Sequence, residues 1–393
     1  MTDRTLAVLG GAPAFSDGVP FVRPPAPPLG EVFARLAPSY ERGMLTNGPL
    51  VAELEARVAE RLGVRHVVAV ASCTAGLMLV VRGLELDAPV LMPSFTFSAS
   101  AHAVAWNGIA PRFAECDPES FQLDLADAAG RLDGAGAVLA THVFGAPCAP
   151  ERVEALAAPH GIPVVFDAAH GFGARRAGRP LGGNGSAEVF SLTPTKPLVA
   201  GEGGLVTTND DAIAHGVRIG RDYGNPGDYD TQFVGLNARM SELHAAVALV
   251  SLERLDEHLD QRRRLAARYQ AGLGAVPGVA VQSVDADDES TFKDFTIAID
   301  GPTFGVDRDS VVRVLRAERV DTRNYFDPPV HRQTAYRSVG ASGLDVTDRV
   351  ARAVVSLPIY PSLAVDVVDK IVEIVADVQA RAEEIDGALT AAG

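Results

Sequence analysis

The amino-acid sequence predicts an α/β fold, with a large, mainly parallel sheet flanked by helices and a smaller α+β domain behind it. Three observations carry this expectation. Short apolar runs alternate with helical patterns over the first part of the chain, as strand–helix–strand units require. Most of those runs are apolar at successive positions, as in strands covered on both faces. After about residue 255 the alternation stops and long helical patterns take over. The expected division is residues 1–255, with an N-terminal arm over 1–30, and residues 256–393.

The elements follow in order. Gly10 to Pro28 is rich in Gly and Pro and reads as an irregular arm. Thr46-Asn47-Gly48-Pro49 reads as a turn and cap, and a helix follows through Glu60 with Val51, Leu54 and Val58 on one face. Strands are expected at Val67–Val70, Val90–Met92, Ala137–Ala140, Val164–Phe166, Glu188–Leu192 and Leu205–Thr208. Beyond residue 255 come a polar helix carrying Arg262, Arg263 and Arg264, a strand over Phe292–Ile299 and a helix over Ser310–Glu318. Val365–Ala380 is an amphipathic helix with Val367, Ile371, Ile374 and Val378 on one face.

Composition narrows the function classes. Hydrophobic residues make up 47% of the 393 and charged residues 22%, which suits a globular chain. The formal charge of −15 and the lack of a Lys/Arg run argue against nucleic acid as a partner. An anionic ligand must therefore be caught by local groups against the global field. No apolar run reaches membrane-spanning length, and no basic, apolar leader opens the chain, so a cytoplasmic protein is expected. Cys73, Cys116 and Cys148 form no CxxC pair and read as reduced thiols, with no metal site expected.

Three local patterns carry chemistry. Asp167 follows the apolar Val164-Val165-Phe166, at the carboxyl end of an expected strand, where open parallel sheets bind ligands. It could hold a ring-nitrogen proton, or simply cap the next segment. Ser72-Cys73-Thr74-Ala75-Gly76 links a strand to a helix start, which makes either an anion site or a plain capped turn. Lys196 ends Phe190-Ser191-Leu192-Thr193-Pro194-Thr195-Lys196 and precedes Glu202-Gly203-Gly204. It is either a reactive amine or a solvated charge, with Ser191 and Thr195 as hydroxyl donors and the glycines at 201, 203 and 204 allowing close backbone approach. A reactive lysine, a buried acid and an anion-binding turn together are what pyridoxal phosphate requires of a protein.

The chain resembles the sugar aminotransferases of the DegT/DnrJ/EryC1/StrS family, within the fold-type I pyridoxal-phosphate enzymes. The resemblance runs from Leu45-Thr46-Asn47-Gly48-Pro49 to Leu357-Pro358-Ile359-Tyr360-Pro361. Between them lie Pro93-Ser94-Phe95-Thr96-Phe97, Phe166-Asp167-Ala168-Ala169-His170-Gly171, the Lys196 segment and Gly235-Leu236-Asn237-Ala238-Arg239-Met240-Ser241-Glu242. The resemblance implies pyridoxal 5'-phosphate as cofactor, with pyridoxamine 5'-phosphate between two half-reactions. It makes Lys196 the Schiff-base lysine and Asp167 the partner of the pyridinium nitrogen. Phe97 would stack on the ring with His170 beside it, and Cys73, Thr74 and Ser191 would hold the phosphate. Asn237 would reach the phosphate of the neighbouring subunit, which implies a homodimer with shared sites. Arg239, His331 and Tyr325 look like substrate-side positions, although Arg239 also reads as a surface ion pair and His331 as a satisfied core group.

Two departures stand out. Cys73 replaces the family's usual glycine, and Ala238 replaces an aromatic, which would enlarge the pocket. Related dehydratases carry histidine at the lysine position, so Lys196 favours transamination. The implied substrates are L-glutamate and a nucleotide-linked keto-sugar, most like dTDP-4-keto-6-deoxy-D-glucose, in deoxyaminosugar and antibiotic biosynthesis. A 3-aminotransferase and an inosose aminotransferase are the nearest rivals. A non-catalytic regulator on the same fold would need a DNA-binding appendage, and a nicotinamide oxidoreductase would need a glycine fingerprint after the first strand. Neither pattern is present in the sequence.

Overall fold

The computed structural model describes residues 4–391. The first three residues of the expected arm and the last two of the expected C-terminal domain lie outside the described residues. Among the described residues twelve strands form, in chain order β1 (His66–Val70), β2 (Val90–Pro93), β3 (Pro111–Ala114), β4 (Ala137–Thr141), β5 (Val164–Asp167), β6 (Arg175–Arg176), β7 (Arg179–Pro180), β8 (Ala187–Ser191), β9 (Gly204–Thr208), β10 (Val279–Val281), β11 (Phe295–Ile299) and β12 (Val354–Leu357).

Seven of them make one sheet in the order β1-β9-β8-β5-β4-β2-β3. Within it β9 is antiparallel to β1 and β8, and the remaining pairs, β8 with β5, β5 with β4, β4 with β2 and β2 with β3, are parallel. The carboxyl ends of β1, β2, β5 and β8 therefore share one edge. The amino end of β9 meets them there, with Gly204 paired to both Val70 and Ser191. Residues far apart in sequence converge at that edge for this reason alone.

Helices cover both faces. The helix Cys73–Gly83 lies so close to the sheet that a Cβ on Gly76 would sit 2.8 Å from Val189 Cγ1 and 2.9 Å from Val206 Cγ2. β10, β11 and β12 form a separate antiparallel sheet, packed by the helices Leu255–Leu273, Arg308–Ala317 and Val365–Ala380. Ile371, Ile374 and Val378 are buried there as the helical spacing predicts, each burial contributing about 1.5–3 kcal/mol. The N-terminal arm joins this second core. Leu6 and Val19 are buried in it, and Glu318 accepts from the amides of Ala7 at 2.7 Å and Ala14 at 2.6 Å.

The structure departs from the sequence expectation in several places. β3 had no signal of its own, being a four-residue strand at the sheet edge that opens on proline and carries Arg112. β12 follows the helix Asp345–Ala353 with no intervening turn residue, which hid it. The strand expected from Phe292 begins only at Phe295. Phe292 has φ +44°, a left-handed conformation that cannot continue a strand, and Lys293-Asp294 turn away from the ladder.

Candidate active site

The shared sheet edge opens into a cavity of about 360 Å³. Cys73 and Thr74 enter it from the first turn of the helix after β1, Phe97 from the loop after β2, and Asp167 and His170 from the end of β5 and just beyond it. Ser191 and Lys196 come from the end of β8 and the turn beyond it, and Tyr325 comes from the C-terminal part of the chain. Eight of the expected site residues thus meet in one place.

Asp167 is 4% exposed, and each carboxylate oxygen has a partner. Oδ2 accepts from Ser100 Oγ at 2.5 Å, and Oδ1 accepts from the Ala169 amide at 3.1 Å. Ser100 continues a buried hydroxyl chain, with its Oγ 3.0 Å from Thr96 Oγ1 and that atom 3.2 Å from Thr141 Oγ1. These donors fix the carboxylate in place at the cavity floor.

Lys196 is held by a short turn in which its amide donates to the Thr193 carbonyl at 3.0 Å. Among the described residues its ammonium makes no hydrogen bond or ion pair. Burial, and then the charge of Lys293, lower its pKa to about 8. A lysine so placed is neutral far more often near neutral pH than an ordinary lysine and can move a proton. His170 is pushed the same way. Burial first, then Lys196 and Lys293, hold its pKa well below the usual histidine value. Its Nδ1 accepts from the Phe144 amide at 3.2 Å, which puts the ring proton on Nε2.

The turn after β1 forms an anion cup. Ser72 caps the helix Cys73–Gly83 by accepting from the Ala75 amide at 3.1 Å, and the Gly76 amide donates to the Ser72 carbonyl. The amides of Cys73 and Thr74, at the first turn, have no intrahelical partner. Gly204 allows this cup to rest on β9, since a Cβ there would lie 2.6 Å from Cys73 N. Burial, then Asp167, push the Cys73 thiol well above its ordinary pKa, so it stays neutral, with Sγ 3.5 Å from the Val189 carbonyl. A cup of free amides and hydroxyls, a buried carboxylate and an unpaired amine form the donor set that pyridoxal phosphate requires, so these residues fit that cofactor.

Three expected residues lie outside this cavity in their own chain. Asn237 is exposed and its Oδ1 accepts from Arg239 Nη2 at 3.1 Å. Arg239 forms an ion pair with Asp222 and lies 5.3 Å from the Tyr223 ring centre. His331 is buried between Ser94 Oγ at 2.7 Å and Asp348 at 3.2 Å. Ala238, expected to enlarge the pocket, is instead buried against the sheet, its carbonyl accepting from the Ala71 amide.

The structure adds residues that the sequence reading did not single out for the site. Ser100 reaches Asp167 from the buried face of the helix Ser98–Ala105. Lys293, Glu202, Thr193, Ala169, Ala99 and Phe326 also line the cavity. Of these, Glu202, Thr193 and Ala169 lie inside motifs that the sequence shows, and Lys293, Ala99 and Phe326 carried no such signal. Among the described residues no group of His, Cys, Asp and Glu could hold a metal ion, and no helix is long and apolar enough to cross a membrane.

Comparison with known proteins shows the family. The model of the DegT/DnrJ/EryC1/StrS aminotransferase family matches residues 30–376. The chain is similar to the crystal structure of DesI in the presence of its TDP-sugar product, with a TM-score of 0.92 and 37% identity over 97% of this chain and 98% of that one. It is 33% identical to the dTDP-3-amino-3,4,6-trideoxy-alpha-D-glucose transaminase of Streptomyces venezuelae, over 85% of this chain and 88% of that protein. It is 27% identical to the dTDP-4-amino-4,6-dideoxy-D-glucose transaminase of Escherichia coli, over 91% of this chain and 97% of that protein.

Proposed function

Since the chain belongs to the DegT/DnrJ/EryC1/StrS aminotransferase family, whose members are pyridoxal-phosphate-dependent sugar aminotransferases, we propose that it transfers the amino group of L-glutamate to C4 of dTDP-4-keto-6-deoxy-D-glucose. The product is the 4-amino-4,6-dideoxy sugar. The observation that carries the reading is the single cavity joining Lys196, Asp167 and the anion cup. The likeness to DesI with its TDP-sugar product supports the dTDP sugar as substrate class.

Bound pyridoxal phosphate supplies a carbonyl for the amine and a ring that withdraws electrons. The amides of Cys73 and Thr74, with the Ser191 hydroxyl, bind its phosphate. Asp167, as an anion fixed by Ser100, holds a proton on the ring nitrogen. Phe97 offers a ring face at the cavity mouth, where it is 59% exposed in the single chain. The Lys196 amine would take the proton from the donor carbon and deliver it two atoms along, across the transferred nitrogen, as a 1,3-shift requires. Donor and acceptor use the same site in turn, which gives ping-pong kinetics.

The same reading makes the protein a cytoplasmic homodimer, with Asn237 serving the neighbouring site. Its exposure on the single chain supports that role. Amination at C3 is the second reading, favoured by the Streptomyces venezuelae relative. NMR of the product formed from dTDP-4-keto and dTDP-3-keto deoxysugars with L-glutamate decides between them. A 4-amino product is expected. A 3-amino sugar as the sole product sinks the C4 assignment and leaves the family untouched.

A further inference from the structure

Lys293 is the second cation of the cavity. The lining contains two lysines, Lys196 and Lys293, and no arginine. Lys293 is 6% exposed, lies 5.5 Å from the Tyr325 ring centre and donates to both oxygens of Asp294, at 2.8 and 3.0 Å. An ammonium has three donors. Among the described residues the third has no partner.

The backbone is built to aim this side chain. Phe292 adopts a left-handed conformation just before it. Arg262, 1% exposed, clamps the turn from behind, donating from Nη1 to the carbonyls of Phe292 at 3.2 Å, Lys293 at 3.3 Å and Ile359 at 3.0 Å. Its Nε and Nη2 are buried without a hydrogen-bond partner. Asp294, 3% exposed, is the carboxylate near both Lys293 and Arg262, so two buried cations share one anion at this wall. A buried ion pair is a poor device for stability, because apolar residues of similar size usually do as well. This one leaves a positive excess and a spare N–H facing the cavity.

We infer that Lys293 is a specificity-determining residue that binds a carboxylate of the amino donor. The inference rests on the aminotransferase reading of the cavity. Lys196 is committed to proton transfer, and in its own chain Arg239 is paired with Asp222 outside the cavity. The donor must bring its carboxylates within a few bonds of the carbon that Lys196 deprotonates. The diphosphate of a sugar nucleotide is held away from a C4 ketone by the whole hexose ring. A cation that lines the same cavity as the reactive amine fits the first geometry better than the second. The −15 charge of the chain makes such a local cation necessary for an anionic donor.

The test uses the holoenzyme and two unreactive probes, glutarate for the donor and dTDP for the sugar nucleotide, titrated by calorimetry. Lys293→Met should weaken glutarate binding roughly 10- to 150-fold, the range of one charge-assisted contact, and leave dTDP within about threefold. Because that substitution strands Asp294, the double variant Lys293→Met/Asp294→Asn is measured beside it, and the same pattern is expected. Unchanged glutarate affinity in either folded variant overturns the inference. So does a dTDP loss equal to the glutarate loss, or a wild type that binds no glutarate. A wild type that binds glutarate through Lys293 yet aminates no keto-sugar nucleotide sinks the proposed function and leaves this inference standing.

Discussion

Replacing Lys196 with methionine should stabilise the cofactor-free protein at neutral pH. The Lys196 ammonium sits in a cavity where burial and Lys293 disfavour its charge more than Asp294, Cys73 and Asp167 favour it, and among the described residues it has no ion pair or hydrogen bond. Its pKa falls from the ordinary 10.5 to about 8. At about 1.36 kcal/mol per tenfold change, this shift corresponds to an upper bound of roughly 3 kcal/mol. Below pH 8 the amine is charged in both the folded and unfolded chains, so the full penalty is present. Between pH 8 and 10.5 the unfolded chain binds more protons than the folded one, and stability rises with pH. Above that window the penalty is gone. Water in the open cavity screens part of the effect, so Lys196→Met should gain about 1–3 kcal/mol at pH 7 and nothing by about pH 10.5. Urea unfolding of the two apoproteins at equal concentration, followed by circular dichroism from pH 7 to 10.5, measures the gap. A variant less stable than wild type at pH 7, or a gap that does not close with pH, refutes the reasoning.

Ser100→Ala removes the donor to Asp167 Oδ2 and leaves a buried carboxylate oxygen short of a partner. Turnover should fall roughly 10- to 150-fold, the worth of a hydrogen bond to a buried charge, and single-turnover rates within twofold of wild type would discard Ser100 as the group that orients Asp167. If Asn237 serves the neighbouring site, co-expressing Lys196→Ala with Asn237→Ala chains should restore about a quarter of wild-type activity, since half of the random dimers are hybrids with one intact site each. Activity no higher than the sum of the two parents, with Asn237→Ala alone impaired, would end the shared-site proposal.

The parts of the site that were legible in the sequence are those carried by a single strand end. Asp167 after Val164-Val165-Phe166, Cys73 and Thr74 after β1, and Lys196 after β8 each sit where an apolar run stops, and parallel strands bring such stops to one edge. Ser100 was hidden because its partner Asp167 lies far along the chain, and a serine inside Ser98-Ala99-Ser100-Ala101 looks like any helix start. Lys293 falls inside an expected strand, because no local pattern announces the left-handed turn at Phe292 or the bonds from Arg262 to the carbonyls of Phe292 and Lys293. Arg239 and Asn237 carry a sequence motif, but in one chain they lie on its outside, where Arg239 meets Asp222.

The cysteine at position 73 shows how a departure from a family pattern can be harmless. A glycine in an anion-binding turn is needed where the backbone must adopt a left-handed conformation or lie against another chain segment. Cys73 needs no left-handed conformation, being the first residue of a regular helix that Ser72 caps. The close approach falls on Gly204 across the cup, where any Cβ would collide with the Cys73 amide and the Ser72 carbonyl carbon at 2.6 and 2.7 Å. The side chain at 73 points instead toward Asp167 and the Val189 carbonyl, in a place dry enough to keep the thiol protonated. The amide, the proposed phosphate donor, is the same for either residue, so the cup keeps its chemistry while its floor gains a small apolar plug.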